Sequence, residues 1–274
     1  MPGIEIDYFI PKGFDTLDVK ISVLKNDIVI RKFENKKDTI KFKTWQGGPS
    51  EKKYLKPKYG FNRFNWDFRR EPFKGIDKVF VYGSYNSGIV SPGNYKIKMK
   101  IGDKEYQNSF FIEPDPNFNF KPSEYLEQEE LLLSIEKNIR DLNMTVTKAR
   151  RIKVQLENDI KKMDKKESLS DLIEMAKKII FQIDEWEQKL VQPKQKTFQD
   201  VINFHNKLNA EFVYLHEYVN SLDPKVTSGA KERFKDLDYK FKMNMETFEN
   251  DILGRIEKYN TEYKRMKIPA IILH

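Results

Sequence analysis

The spacing of apolar residues changes once along the chain, near Pro114-Asp115-Pro116. Before this point apolar and polar residues tend to alternate, as in Tyr95-Lys96-Ile97-Lys98-Met99, which is typical of strands with one buried face. After it, apolar residues recur every three or four positions over about 140 residues, which is typical of amphipathic helices. The pattern predicts an α+β protein with two domains: a sheet domain over 1–116 and a helical domain over 123–268, joined by a linker over 117–122.

The first part of the chain contains seven candidate strands, separated by turn residues such as Lys25-Asn26-Asp27 and Pro92-Gly93-Asn94. Seven short antiparallel strands favour an immunoglobulin-like β-sandwich. Trp66 and Tyr95 lie within strand patterns, so we expect them to fill the core between the sheets. The candidate strands are Ile4–Ile10, Leu17–Leu24, Asp27–Phe33, Thr39–Thr44, Asn62–Phe68, Gly93–Ile101 and Glu105–Ile112.

Four amphipathic segments follow the change in spacing. Ser123 is expected to cap the first helix, which keeps a rhythm of three and four for about 40 residues. A second helix begins near Leu169, a third covers Phe198–Leu222, and a fourth begins at Ser228. Because no segment can bury its apolar stripe alone, the sequence predicts an antiparallel four-helix bundle or coiled-coil hairpins.

Two long connections in the sheet domain carry aromatic residues, one after the strand ending near Thr44 and one over 71–91. Loops of this length are uncommon in compact domains and are often functional. If these aromatic side chains are exposed together, they form a contact surface. Alternatively they fold back as a cover over the sandwich, and the sequence supports both hypotheses equally. The candidate contact residues are Trp45, Tyr54, Phe73, Tyr82 and Tyr85.

The chain has 50 basic and 42 acidic residues and a net charge of +8, with 22 basic and 15 acidic residues in 1–116. Only 10 of the basic residues are Arg, the side chain that binds phosphate bidentately, so nucleic-acid binding is not expected. The start, Met1-Pro2-Gly3-Ile4, enters a strand pattern without a basic and apolar leader. No apolar run is long enough to span a bilayer.

Candidate catalytic and metal-binding residues are scarce. The chain has no cysteine, which excludes disulfides, thiol catalysis and cysteine metal sites. His205 falls in the apolar register of the third helix and is expected to be partly buried. His216 lies about 16 Å further along that helix, too far to share a metal ion, and His274 ends the sequence. Neither a Glu-x-x-His pair nor a Gly-x-Ser-x-Gly motif occurs, so we predict no cofactor, no metal and no enzymatic activity.

Four segments carry a resemblance to a known family: Gly60–Arg69, Ser91–Met99, Lys104–Tyr106 and Pro114–Pro116 leading into long helices. Together they resemble the C-terminal region of bacterial sortilin-like, BNR-repeat β-propeller proteins, which are often labelled glycosyl hydrolases. In that family a propeller precedes an immunoglobulin-like module and a helical segment. The resemblance spans nearly the whole chain, but the propeller itself is missing. No catalytic residue of the family therefore maps onto this sequence.

The resemblance implies a non-catalytic accessory region that packs against or extends a β-propeller in a longer exported protein, periplasmic or extracellular. The helices would serve as a spacer or as a self-association element. The alternative is a carbohydrate-binding module, in which Trp45, Tyr54, Tyr82 and Tyr85 form a flat platform that stacks on sugars. A third hypothesis is a basic adaptor for acidic polymers, whose binding would weaken with salt.

Overall fold

A computed structural model describes residues 3–13, 18–35, 45–51, 53–163 and 167–266. The predicted strand Thr39–Thr44 lies outside the described residues. Two antiparallel sheets precede a series of helices along the chain, so the predicted α+β class is confirmed.

The strands are β1 (Ile4–Ile10), β2 (Val19–Lys25), β3 (Ile28–Glu34), β4 (Gly60–Trp66), β5 (Gly93–Ile101) and β6 (Lys104–Ile112). β1 and β4 form a two-stranded antiparallel sheet, and the other strands form a four-stranded antiparallel sheet in the order β3-β2-β5-β6. The β5–β6 hairpin turns through Gly102-Asp103 and pairs Ile101 with Lys104. This agrees with the turn that the sequence predicts there.

The two sheets enclose one apolar core, in which Trp66 and Tyr95 are both fully buried. The Trp66 indole N–H donates to the Arg69 carbonyl oxygen at 2.9 Å, and the Tyr95 hydroxyl donates to the Ser91 carbonyl oxygen at 2.6 Å. Both polar groups of these large rings are therefore satisfied inside the core, as burial requires.

The helices are α1 (Pro122–Met163), α2 (Ser170–Leu190), α3 (Asp200–Asn203), α4 (Leu208–Val219), α5 (Ser228–Glu246) and α6 (Gly254–Arg265). A 3₁₀ turn precedes α2, and a π-helical stretch, Thr247–Leu253, continues α5 into α6. α1 packs against α2, α4 and α5, while α2 packs against α6. The apolar stripes of these helices meet in a second core.

α1 begins one residue before the predicted cap. Pro122 occupies its first turn, where the missing N–H has no helical partner to lose. The Glu124 carboxylate accepts the backbone N–H of Lys121 at 2.7 Å and so closes the helix start. The prediction that Ser123 is the cap is therefore wrong.

The predicted third helix is interrupted between α3 and α4. Phe204 has an extended backbone, with φ −126° and ψ 116°. The buried side-chain amide of Gln195 donates to the Phe204 carbonyl oxygen at 2.6 Å, and the amide of Gln192 donates to that of His205 at 3.0 Å. These amides replace helical hydrogen bonds at the break. His205 is exposed there, so its predicted burial is wrong.

The second core also includes part of the sheet half of the chain. Five apolar residues of segment 71–91 are buried among the helix stripes. This segment therefore folds against the helices, and the two halves of the chain share buried surface. The five residues are Phe73, Ile76, Val79, Val81 and Tyr85.

Candidate functional site

The residues predicted as a contact surface do not lie on one surface. Phe73 and Tyr85 are buried, because segment 71–91 packs into the core of the helices. Trp45 and Tyr54 are half-buried, whereas Tyr82 is 56% exposed. With Tyr85 buried, the four rings proposed for sugar stacking do not form one exposed platform.

Tyr82 forms an exposed aromatic pair with Phe198, which is 53% exposed; we call these two residues the aromatic patch. Their rings meet edge to face with centroids 5.5 Å apart. The backbone beside Tyr82 is held against α4, since the Ser84 N–H donates to a Glu217 carboxylate oxygen at 2.7 Å. The patch therefore stands on a segment that is fixed to the helices.

Buried charged residues gather between the sheets and α1. The Arg70 guanidinium binds the Glu136 carboxylate through two hydrogen bonds, Nε to Oε2 at 3.1 Å and Nη2 to Oε1 at 2.6 Å. Both side chains are buried. We define the junction cluster as this pair and the residues that surround it. Its members are Lys25, Arg70, Gly88, Ser91, Glu129, Glu136 and His216.

Glu129 is the second carboxylate of the junction cluster. It lies on one side of Arg70, with the Glu129 Oε1 3.7 Å from the Arg70 Nη1. Its other oxygen, Oε2, accepts from Lys25 Nζ at 2.5 Å and from the Ser91 hydroxyl at 2.7 Å. Lys25 ends β2 and Ser91 precedes β5, so this carboxylate joins α1 to one end of the two central strands of the four-stranded sheet.

Glu136 is saturated with donors. Its Oε1 accepts the Gly88 N–H at 2.7 Å and lies 3.3 Å from His216 Nε2 on α4. Burial acts to raise the pKa of Glu136, but the hydrogen bonds from His216 and Arg70, with the positive charge of Arg70, outweigh it and lower the pKa to about 2. The carboxylate is therefore ionised near neutral pH and fully engaged in internal contacts.

α1 carries a row of polar residues at heptad spacing, Glu129, Glu136, Asn143 and Arg150. Seven residues are nearly two helical turns, so these side chains lie on one face of the helix. Asn143 and Arg150 donate to backbone carbonyl oxygens of segment 71–91 at 2.8 and 2.6 Å. Sequence reasoning missed this row, although its seven-residue repeat beside the apolar stripe was a usable signal.

The charges of the junction cluster bind one another. Grooves occur elsewhere, one of about 290 Å³ between α4 and α5 and one of about 450 Å³ between α1 and α2, and no member of the cluster lines either. Within the described part of the chain, no group of three or more His, Asp or Glu side chains could hold a metal ion. Among the same residues, no helix has the length and apolar character needed to cross a membrane.

Comparisons with known proteins give no match. No protein-family model matches the chain, and neither a curated protein nor a solved structure matches it. The resemblance to the C-terminal region of sortilin-like proteins therefore stays a prediction.

Proposed function

We propose that this chain is a non-catalytic interaction region, in which an immunoglobulin-like β-sandwich and a helical bundle act as one rigid body that packs against or extends a β-propeller of a longer exported protein. Two sheets around one core support the sandwich, and several helical passes around a second core support the bundle. The observation that carries the proposed contact is the exposed aromatic patch, Tyr82 and Phe198.

The junction cluster supports a structural role for the buried charges. Removing ions from water is costly, and a buried pair tolerates this only when its hydrogen bonds are complete. The Arg70–Glu136 pair meets this condition through two direct hydrogen bonds and the Gly88 N–H. Since its members come from both halves of the chain, the cluster holds the sheets and the helices in one orientation.

The aromatic patch has the properties of an interface anchor. Large rings dominate the energetics of protein interfaces, because they bury much apolar area and lose few rotamers on binding. Tyr82 lies beside the backbone contact between Ser84 and Glu217, so the patch is already ordered before a partner arrives. An ordered contact loses less conformational entropy on association.

The proposal can be tested by titrating the purified chain against a BNR-repeat β-propeller of a sortilin-like protein and measuring the dissociation constant by calorimetry. We expect wild type to bind and the double variant Tyr82→Ser/Phe198→Ser to bind about tenfold or more weakly. Tyr239→Ser is the matched control, because Tyr239 is a similarly exposed ring, 66% exposed on α5, that is not a member of the patch, and its loss should leave binding unchanged.

Three results would contradict the proposal. Absence of binding by wild type, or equal loss in the control, would rule out the propeller contact at the aromatic patch. Turnover of any substrate by the purified chain would rule out the non-catalytic role. Binding on a glycan array that disappears in the double variant would instead favour the carbohydrate-binding alternative.

A further inference from the structure

Among the described residues, β6 is an edge strand of the four-stranded sheet. It pairs with β5 on one side, and no other described strand pairs with it. Seven of its nine residues are exposed, and the stretch from Tyr106 to Ile112 has no charged side chain and no proline. Natural edge strands are usually blocked by charges, prolines or bulges, whereas the β5–β6 register runs without a bulge.

The free edge has a defined backbone pattern. The Ser109 N–H donates to the Asn108 side-chain oxygen at 2.9 Å, so it points away from the ladder with β5. In an antiparallel strand the backbone groups of alternate residues face the same side. Glu105, Gln107, Ser109 and Phe111 therefore present their N–H and C=O groups to the open edge.

We propose that two copies of this chain dimerise through antiparallel pairing of β6 with β6, with the two-fold axis at Asn108. In this register Gln107 forms a hydrogen-bonded pair with Ser109 of the second copy, and Glu105 forms one with Phe111. The pairing yields roughly eight backbone hydrogen bonds and joins the two sheets into one continuous sheet. The dimer does not depend on the propeller contact proposed above.

The side chains of β6 are complementary to themselves in this register. Tyr106 lies opposite the buried Met99 of β5, so it points to the inner face of the sheet, yet it is 50% exposed. In the dimer it lies beside Phe110 of the second copy, an aromatic pair of the kind that stabilises sheets. Lys104 lies opposite Ile112 and Glu105 opposite Phe111, so no like charges meet. This self-complementarity selects a second copy as the occupant.

The test is sedimentation velocity over a concentration series of the full chain. We expect wild type to dimerise reversibly. Asn108→Lys brings two lysines together at the axis, which should raise the dissociation constant on the order of tenfold. Asn108→Val should lower it, because the Ser109 N–H is freed and a β-branched side chain occupies the axis. Ile28→Lys is the matched control, since Ile28 is exposed on β3 at the opposite edge of the same sheet.

Circular dichroism of each variant separates lost dimerisation from lost folding. If Asn108→Lys fails to fold, Gln107→Pro gives the same information, because it removes an N–H that faces the open edge and leaves the ladder with β5 intact. A wild-type chain that is monomeric at its highest soluble concentration would overturn the proposal. So would a dimer that folded Asn108→Lys and Gln107→Pro leave unchanged, which would place self-association on the helices. Capture of an added β6 peptide by a chain that never dimerises would also overturn it.

Discussion

Glu136 connects three separate parts of the molecule through one carboxylate. It binds Arg70 from the segment after β4, the backbone of Gly88 and His216 of α4. Because Arg70 is buried, its charge has no access to water if this partner is removed. A buried ion pair of this kind adds little net stability over an apolar pair. Removing one of its two partners, however, strongly lowers the free energy of unfolding.

We expect Glu136→Gln to lower the free energy of unfolding by about 3 to 5 kcal/mol at pH 7, because it removes the carboxylate that binds the buried Arg70 through two hydrogen bonds and leaves only Glu129, 3.7 Å away, as its counter-ion. Urea unfolding followed by circular dichroism measures the change. Glu174→Gln is the matched control, since Glu174 pairs with Lys178 on an exposed face of α2 and should show no measurable shift in midpoint. Equal effects of the two substitutions would contradict the role of the junction cluster.

The lowered pKa of Glu136 predicts how the stability of the fold depends on pH. The folded pKa of Glu136 is lowered to about 2, against an ordinary value of 4.5. A carboxyl group with a depressed folded pKa stabilises the fold above its unfolded pKa, and this contribution is lost as the pH falls toward the folded value. We expect the difference in unfolding free energy between wild type and Glu136→Gln to narrow from about pH 4.5 down to about pH 2. A constant difference over this window would contradict the pKa shift of Glu136.

At the scale of elements, the sequence predicts the apolar stripes of the helices, but it does not predict the contacts of the polar row on α1. Spacing of three and four identifies a helix face whatever that face contacts, so α1 has close to the predicted length and α2 begins close to the predicted residue. Glu129 and Asn143 resemble solvent-exposed helix residues in sequence. Their seven-residue spacing beside the apolar stripe indicates that they share one face of α1, but it does not identify the carbonyl and cationic groups, far away in the chain, that they contact.

The close approach of segment 71–91 to α1 gives a further prediction. A Cβ atom on Gly88 would lie 2.5 Å from Arg70 Nη2 and 3.1 Å from Glu136 Oε1, so Gly88→Ala wedges the ion pair apart. We expect a loss of about 1 to 3 kcal/mol in unfolding free energy, measured by urea unfolding. The matched control is Gly229→Ala in the first turn of α5, where an added Cβ meets nothing within 4 Å beyond its chain neighbours and its own helix backbone, so alanine should be neutral or slightly stabilising. A neutral Gly88→Ala would show that the junction is loosely packed.

For the whole molecule, the sequence predicted the order of sheets and helices, but it did not predict how closely the two halves associate. The alternation of apolar and polar residues predicts β1, β2 and β5, because each of these strands buries one face and this shows in its local sequence. The break after α3 depends on the buried Gln195 amide, whose role follows only from the folded geometry. The apolar residues of segment 71–91 have no clear period. Their spacing therefore fits an exposed contact surface and a cover over the sandwich equally well.

Shared burial predicts that the molecule unfolds as one unit. Trp66 lies in the core of the sheets and Trp186 in the core of the helices, so tryptophan variants report on each half. We expect Trp66→Phe and Trp186→Phe each to leave a fluorescence transition that coincides with the loss of helical circular dichroism in urea. Adding Trp45→Phe to each variant leaves a single tryptophan, Trp186 or Trp66, as the reporter. Two separate transitions would show that the junction does not couple the halves.

α1 also has a mechanical consequence. Its 42 residues begin beside the sheets and continue well beyond the Arg70–Glu136 pair. From Glu136 to Met163 the helix extends about 40 Å, so a rotation of one degree at the ion pair displaces its far end by about 0.7 Å. Because α2, α4 and α5 pack against α1, such a rotation would carry the helices together. The precision with which the buried charges fix the angle between sheets and helices therefore sets the position of every group at the far end of the bundle.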